Sequence, residues 1–275
     1  MLEQKTITFL GAGSMAEAIL GGLINKQIVK PEQIIVTNLQ DQQKLTRLAG
    51  TYDVNTTSNR MEAVRRADII ILAMKPKHVK EALEEVQTVT RPDQLFVSVL
   101  AGIPTDYMES LLKGKASVIR TMPNTSAKVG ASATAISKGA YANDEQLQVV
   151  EALFAAIGTV TVVEEEKLDA VTGLAGSGPA YFYYLIEAME KAAVDNGLTK
   201  EEASALITQT VIGVGQRLQK TEKSAKELYE EVMSPNGTTE AGIGVLREYH
   251  MQDVMEKAIA QAIARSKELG VVFHN

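Results

Sequence analysis

The chain has 275 residues and a formal net charge of −6, from 34 acidic and 28 basic side chains. An acidic balance argues against nucleic acid or an anionic membrane as the main partner, and the length predicts about two domains. The absence of cysteine excludes disulfides and thiolate chemistry and is consistent with a cytoplasmic protein. No apolar run reaches the ~18 residues of a membrane helix, and the three scattered histidines have no metal-ligand spacing, so we expect no metal site.

The first 164 residues alternate strand-like and helical patterns. The strand-like runs cover residues 6–10, 33–37, 68–73, 95–100 and 117–121, with helical patterns such as 15–26 and 77–88 between them. Runs such as Ile69–Leu72 are apolar throughout, as parallel strands covered on both faces are. This alternation predicts an α/β, Rossmann-like, doubly wound domain over residues 1–164. Residues 160–163 add an edge strand after a helix over 143–157.

From residue 165 onward the sequence shows helical patterns and no convincing strand. These patterns cover residues 165–174, 178–196, 199–218, 224–232, 238–248 and 251–269. We expect Gly197 to end the second of these helices and Thr199 with Glu202 to form a capping box at the start of the third. Residues 165–275 are therefore predicted to be an all-α domain.

A glycine turn follows the first strand and opens the first helix. Its residues are Gly11, Ala12, Gly13, Ser14, Met15 and Ala16. Gly11 can make a tight turn, Gly13 lets the backbone approach a pyrophosphate, and Ala16 lets the helix pack closely on the strand. The pattern predicts a dinucleotide whose phosphates lie at the helix N-terminus; the alternative is an ordinary strand–turn–helix.

The second strand is followed by Asn38, where NAD-dependent enzymes usually have a carboxylate for the ribose 2′-hydroxyl. A neutral side chain tolerates a 2′-phosphate, which favours NADP. Lys44 and Arg47 on the next helix could help to bind that phosphate, or they could simply be solvated charges.

Small or turn-forming residues follow the later strands. They are Ala73-Met74-Lys75-Pro76, Ala101-Gly102 and Met122-Pro123-Asn124-Thr125. Ligands of open parallel sheets lie beyond the carboxyl ends of the strands, so small residues there suit a long ligand. The alternative is that these loops are merely rich in glycine and proline.

Two further segments of the helical half stand out. Ser234-Pro235-Asn236-Gly237 is a turn that leads into a helix, where Thr238 and Thr239 can act as caps and Glu240 suits the first turn. Backbone N–H groups at such a helix start can bind an anion, although a plain helix cap explains the residues equally well. Three glycines within 173–178 predict a helix break, the close approach of a backbone or ligand, or close helix packing.

These segments together resemble the pyrroline-5-carboxylate reductase family, from the first strand to the final helix. The more specific matches are Ala73–Pro76, Val99–Gly102 and Arg120–Thr125, and the most specific are Gly176–Tyr181 and Ser234–Thr239. The family usually has Ser-Pro-Gly-Gly-x-Thr in that last segment, and Asn236 replaces the first glycine here. Asparagine tolerates positive φ well, so we expect the turn to keep its conformation. The replacement leaves open whether the loop and its affinity for the substrate are altered.

The resemblance implies that NADPH, or less well NADH, reduces 1-pyrroline-5-carboxylate to L-proline, the last step of proline biosynthesis. It implies that Ser234 and the amides of Gly237, Thr238 and Thr239 bind the substrate carboxylate, and that Thr239, as the catalytic residue, lies near the ring nitrogen. The cofactor contacts carried over are Gly11, Ala12, Gly13, Ser14, Met15, Ala16, Asn38, Asn59, Ala73, Met74, Lys75, Pro76 and Ala101.

The resemblance also implies the two-domain plan of 6-phosphogluconate dehydrogenases, with 165–275 as the dimerisation and substrate domain. Family members form homodimers through interlocked helical domains, with the active site between the cofactor domain of one chain and the helices of the other. Such dimers can associate into rings of five, that is, decamers.

Two other functions compete with this interpretation. Enzymes of the β-hydroxyacid dehydrogenase group share the plan but use a lysine with a downstream asparagine on the same helix face, whereas Lys167 is followed here by Asp169-Ala170-Val171. The other is a cofactor-binding homologue without turnover, serving in regulation.

Overall fold

The computed structural model describes residues 2–271 and 273. Within them, one mixed sheet has the strand order β3-β2-β1-β4-β5-β6-β7-β8. The strands are β1 (Ile7–Leu10), β2 (Ile34–Thr37), β3 (Asn55–Thr57), β4 (Ile69–Leu72), β5 (Leu95–Ser98), β6 (Ser117–Met122), β7 (Ser132–Lys138) and β8 (Gly158–Val162). The five predicted strands and the predicted edge strand are present, and β8 lies at the edge as expected.

Strands β1 to β6 pair in parallel, so their carboxyl ends lie at one edge of the sheet. In register, Leu10 lies beside both Thr37 and Leu72. Strand β7 runs antiparallel to β6 and parallel to β8. Strand β7 was not predicted from the sequence. It is reached from β6 through a loop that contains a 3-10 helix, Thr125–Val129, and not through a crossover α-helix, so it can run antiparallel to β6.

The helices are α1 (Ser14–Asn25), α2 (Gln42–Tyr52), α3 (Arg60–Arg66), α4 (Val79–Val86), α5 (Thr105–Leu111), α6 (Asp144–Ala155), α7 (Leu168–Val171), α8 (Gly178–Asp195), α9 (Lys200–Gln219), α10 (Ala225–Glu231), α11 (Thr238–Glu248) and α12 (Met251–Val271). Of these, α1, α2 and α6 contribute side chains to the apolar core on one sheet face, and α3, α4 and α5 to the core on the other. Ile69 and Ile71 of β4 belong to the first core and Ile70 and Leu72 to the second. This alternation explains why that strand is apolar throughout.

The local predictions in the helical half mostly hold. Gly197 has φ +99 after the end of α8, and Thr199 and Glu202 form both hydrogen bonds of a capping box at the start of α9. The glycine segment is a π-helical turn, Thr172–Gly176, and a bend at Ser177 separates it from α8, so the predicted interruption of the helix is present. A Cβ on Gly178 would meet open space, so close packing does not explain that glycine.

Backbone contacts divide the chain into two compact units. The first comprises residues 1–179 together with 261–275, and the second comprises residues 180–260. The buried apolar side chains of the second unit are Ala203 and Ile207, both on α9. The boundary between residues 164 and 165, which separates the predicted cofactor domain from the predicted dimerisation and substrate domain, stays a prediction. In the part of the chain that the structure describes, no helix is long and apolar enough to cross a membrane.

Candidate active site

The glycine turn begins where β1 ends. Gly11 has φ +114, and its N–H donates to the Thr37 carbonyl oxygen over 3.2 Å. A Cβ on Gly11 would lie 2.5 Å from the carbonyl oxygen of Ala73. Backbone conformation and space therefore both require glycine at this position, and the turn joins the segments that follow β1, β2 and β4.

The start of α1 is open to a ligand. Gly13 is the N-cap residue, and no side chain caps this end of the helix. The nearest atom to a Cβ built on Gly13, the Ala73 carbonyl oxygen, would be 3.7 Å away, so the protein itself does not need glycine there. The first-turn N–H groups of a helix lack intrahelical partners, and together with this space they fit a diphosphate.

The two asparagine candidates lie at the same sheet edge. Asn38 follows β2, and its Oδ1 accepts hydrogen bonds from the N–H groups of Gln40 and Asp41, both over 3.1 Å. Asn59 follows β3 and is the N-cap residue of α3, where its Oδ1 accepts from the N–H of Glu62 over 3.0 Å. Both side chains thus shape their loops.

The remaining cofactor candidates follow β4 and β5. Ala73 donates its N–H to the Leu10 carbonyl oxygen over 3.0 Å, which places it directly beside the glycine turn. Met74 and Lys75 continue this loop, and Pro76 begins a short 3-10 turn that ends at His78. Ala101 lies in the turn after β5. The fold thus brings every candidate cofactor residue to the carboxyl ends of five neighbouring parallel strands.

The substrate candidates lie in a tight turn before α11. The Gly237 N–H donates to the Ser234 carbonyl oxygen over 2.9 Å, and Asn236 has φ +59, as predicted from its replacement of glycine. These are features of a type II turn with Pro235 at its second position. A Cβ on Gly237 would lie 2.9 Å from the Ser234 carbonyl oxygen, so this turn requires glycine at its last position.

The start of α11 differs from the sequence-based expectation in one respect. Thr238 and Thr239 were candidates for the cap, but Gly237 is the N-cap residue and no side chain caps the helix. The turn places both threonines inside the first helical turn, which leaves their backbone N–H groups without intrahelical acceptors. Glu240 instead accepts the N–H of Asn236 over 2.7 Å. The helix start thus keeps donors for an anionic ligand.

Two polar contacts, made by residues in and just after β6, were not predicted from the sequence. Arg120 of β6 is buried and pairs with Glu165 over 3.2 Å, and Glu165 also accepts from the Thr105 N–H over 2.8 Å. Asn124 donates through Nδ2 to the Ala175 carbonyl oxygen in the π-helical turn over 3.1 Å. An arginine within a strand that has no other charged residue is the signal that could have revealed the first contact.

Family comparisons agree with this arrangement. Residues 165–269 match the family described as pyrroline-5-carboxylate reductase dimerisation, and residues 6–102 match the family of F420-dependent NADP oxidoreductases. Pyrroline-5-carboxylate reductase 2 of Bacillus subtilis is 43% identical over 96% of this chain and 95% of its own. The chain belongs to the pyrroline-5-carboxylate reductase family.

Solved structures of pyrroline-5-carboxylate reductases have the same fold along the whole chain. The Coxiella burnetii protein superposes with a TM-score of 0.89 at 35% identity, over 97% of this chain and 99% of that one. The Plasmodium falciparum protein, solved with NADP bound, gives a TM-score of 0.90 at 26% identity, over 98% and 100% of the two chains. This family member thus has a two-part plan of Rossmann-like sheet and helical dimerisation region.

Proposed function

We propose that the protein reduces 1-pyrroline-5-carboxylate to L-proline with NADPH, or less well with NADH, and so completes proline biosynthesis in the cytoplasm. In this member of the family, the proposal depends most on how two helices begin. Both α1 and α11 begin after a glycine N-cap with no side-chain cap, and each therefore offers backbone donors to an anionic ligand.

The cofactor site comprises the segments at the carboxyl ends of β1 to β5. Gly11 to Ala16 would bind the diphosphate at the start of α1, Asn38 would face the adenosine ribose, and Ala73 to Pro76 with Asn59 and Ala101 would line the rest. The small side chains at Ala73 and Ala101 leave room for a ligand lying across the strand ends. A reduced nicotinamide, when bound, supplies the hydride.

The substrate site is the turn before α11. The Ser234 hydroxyl and the N–H groups of Gly237, Thr238 and Thr239 would hold the substrate carboxylate. This arrangement needs no cationic side chain, because a helix start carries a partial positive charge.

Thr239 would act on the imine through its hydroxyl, by orienting the ring nitrogen and relaying its proton. A protonated imine is already electrophilic, so the reaction needs positioning more than a strong base. Orientation of reactants alone can contribute about 7–11 kcal/mol. The catalytic role of Thr239 is therefore a modest one.

We also propose that the protein forms a homodimer through residues 165–275 and that dimers assemble further into a decamer. Residues 180–260 bury little apolar surface of their own, while aromatic side chains such as Phe182, Tyr183 and Tyr184 are 63%, 65% and 76% exposed. Large exposed apolar areas of this kind mark interaction surfaces. Sedimentation at micromolar concentration should give at least a dimer, and a monomer would contradict the proposal.

The activity is tested by following NADPH oxidation by absorbance with 1-pyrroline-5-carboxylate as substrate, with proline identified as the product. Substrate-dependent oxidation is expected. Oxidation only with a β-keto acid would favour a β-hydroxyacid dehydrogenase, and nucleotide binding without turnover would favour a regulatory homologue. A reaction mixture without substrate measures background oxidation.

A further inference from the structure

An ion pair joins α1 to α2, the helix that follows the Asn38 loop. The Arg47 guanidinium donates through Nη1 to Oε1 of Glu17 over 2.7 Å and through Nη2 to Oε2 over 2.6 Å. This is the bidentate geometry in which arginine binds a carboxylate most specifically. The same two nitrogens are the ones that would grip a phosphate in a bidentate manner.

Tyr52 also holds Glu17, the carboxylate of this ion pair, in place. The Tyr52 hydroxyl donates to Oε1 of Glu17 over 3.4 Å, and the Tyr52 ring packs against Gly21, where a Cβ would lie 3.3 Å from Cε1. The hydrogen bonds from Arg47, against the opposing effect of burial, hold the pKa of Glu17 below its usual range. Glu17 is therefore ionised at neutral pH.

The pair lies next to the loop that follows β2. Asp41, the N-cap residue of α2, donates its N–H to Asn38 Oδ1 and accepts the N–H of Lys44 over 2.8 Å. The charge of Asp41 contributes to the raised pKa of Arg47, after the larger effect of its hydrogen bonds to Glu17. The Arg47 guanidinium is thus bound to Glu17 of α1, and it is close enough to the start of α2 for the charge of Asp41 to act on it.

We propose that Glu17 sets the coenzyme preference of this protein by holding Arg47 away from the ribose 2′-phosphate, so that Glu17 is a specificity-determining residue. This inference rests on the proposed function. With Arg47 paired to Glu17, Asn38 and Lys44 are left to favour NADPH, so we expect only a small preference for NADPH over NADH. Release of Arg47 would add a cation able to bind the phosphate.

The test is calorimetric titration of Glu17→Gln with NADP⁺ and NAD⁺, and with 2′,5′-ADP and 5′-AMP, which report the 2′-phosphate contact without turnover. Glu17→Gln keeps the side-chain size but loses the charge. We expect it to tighten NADP⁺ and 2′,5′-ADP binding by about three- to tenfold and to leave NAD⁺ and 5′-AMP unchanged. The double variant Glu17→Gln/Arg47→Ala should lose the gain.

Two further variants separate this role from a structural one. Arg47→Lys should also favour 2′,5′-ADP, because an ammonium cannot form the bidentate pair and is held less firmly by Glu17. The matched control is Glu268→Gln, which breaks an exposed pair with Arg265 on α12 and should change no affinity.

Three results would overturn the inference. One is an unchanged NADP⁺ to NAD⁺ affinity ratio in both Glu17→Gln and Arg47→Lys. The second is selective loss of NADP⁺ affinity in Arg47→Ala with Glu17 intact, because Arg47 would then bind the phosphate while paired. The third is a wild-type protein that binds neither dinucleotide, which would refute the proposed function as well.

Discussion

Gly11 and Ala73 are in direct backbone contact, so the turn after β1 and the loop after β4 form one surface. The contact has no space for a methyl group, since a Cβ on Gly11 would be 2.5 Å from the Ala73 carbonyl oxygen and 2.8 Å from the Met74 nitrogen. Gly13, two residues later, has no such contact. The two glycines of the same turn therefore serve different purposes, one for the fold and one for the ligand.

Gly11→Ala and Gly13→Ala are expected to differ in their effects. Gly11→Ala should destabilise the protein by at least about 1–3 kcal/mol, because it combines a positive φ with a backbone clash. Gly13→Ala should fold with near-normal stability but bind dinucleotide at least about tenfold more weakly, because its methyl group would occupy the space of the diphosphate. Urea unfolding and nucleotide titration measure the two effects, and equal loss of stability in both variants would refute the distinction.

Thr239→Ala should lower kcat/KM about ten- to a hundredfold, the size of one lost hydrogen bond of ~1.4–2.7 kcal/mol. Thr239→Ser retains the hydroxyl and should recover most of the activity. Steady-state kinetics with varied pyrroline-5-carboxylate measure both variants. Unchanged kinetics in Thr239→Ala would remove this residue from the site.

The turn before α11 offers a third test, at Gly237 and Asn236. Gly237→Ala should raise KM for pyrroline-5-carboxylate, because its Cβ would meet the Ser234 carbonyl oxygen and open the turn. Asn236→Gly is the matched control, since glycine adopts the same positive φ without strain. It should keep KM within about threefold, and a larger change would give the asparagine side chain a part in substrate binding.

The buried Arg120 should be sensitive to loss of its partner. Glu165→Gln leaves a buried guanidinium without a counter-charge, so we expect it to destabilise the protein by about 3–5 kcal/mol. Arg120→Met with Glu165→Gln removes both charges and should recover much of that loss. Denaturant unfolding of the single and double variants measures the difference, and additive losses would show that the two charges do not depend on each other.

Glu109 is expected to make the stability of the protein depend on pH. Burial raises the pKa of this carboxyl above its usual 4.5, against hydrogen bonds from the backbone of Tyr141 and Ala140. Above pH 4.5 the folded state therefore binds more protons than the unfolded state. The free energy of unfolding then decreases as the pH rises from about 4.5 past the raised pKa of the folded state. Glu109→Gln should remove that part of the slope and stabilise the protein at pH 7, as urea unfolding between pH 4 and 8 would show.

The apolar strands and the amphipathic helices could be predicted because their patterns are local. β3 and β7 could not, for two different reasons. Asn55–Thr57 is a short polar edge strand without an apolar run. Ser132–Lys138 consists mainly of small and polar residues, and its antiparallel direction depends on the loop with a 3-10 helix that connects it to β6.

The candidate site was predictable where backbone conformation alone dictates residue type, as at Gly11 and Asn236. Pairings between distant residues were not, since Arg47 with Glu17 and Arg120 with Glu165 are separated by 30 and 45 positions. The π-helical turn was also beyond prediction, because one extra residue in a helix leaves no distinct pattern in the sequence.

The end of α12 touches the loop that carries Ala101. A Cβ on Gly270 would lie 2.9 Å from the Gly102 carbonyl oxygen, and nearby Ser266 donates to Asp169 over 2.6 Å. These contacts belong to the first compact unit, although about eighty residues of the second are synthesised in between. The first compact unit is therefore completed only when the last fifteen residues of the chain have been synthesised.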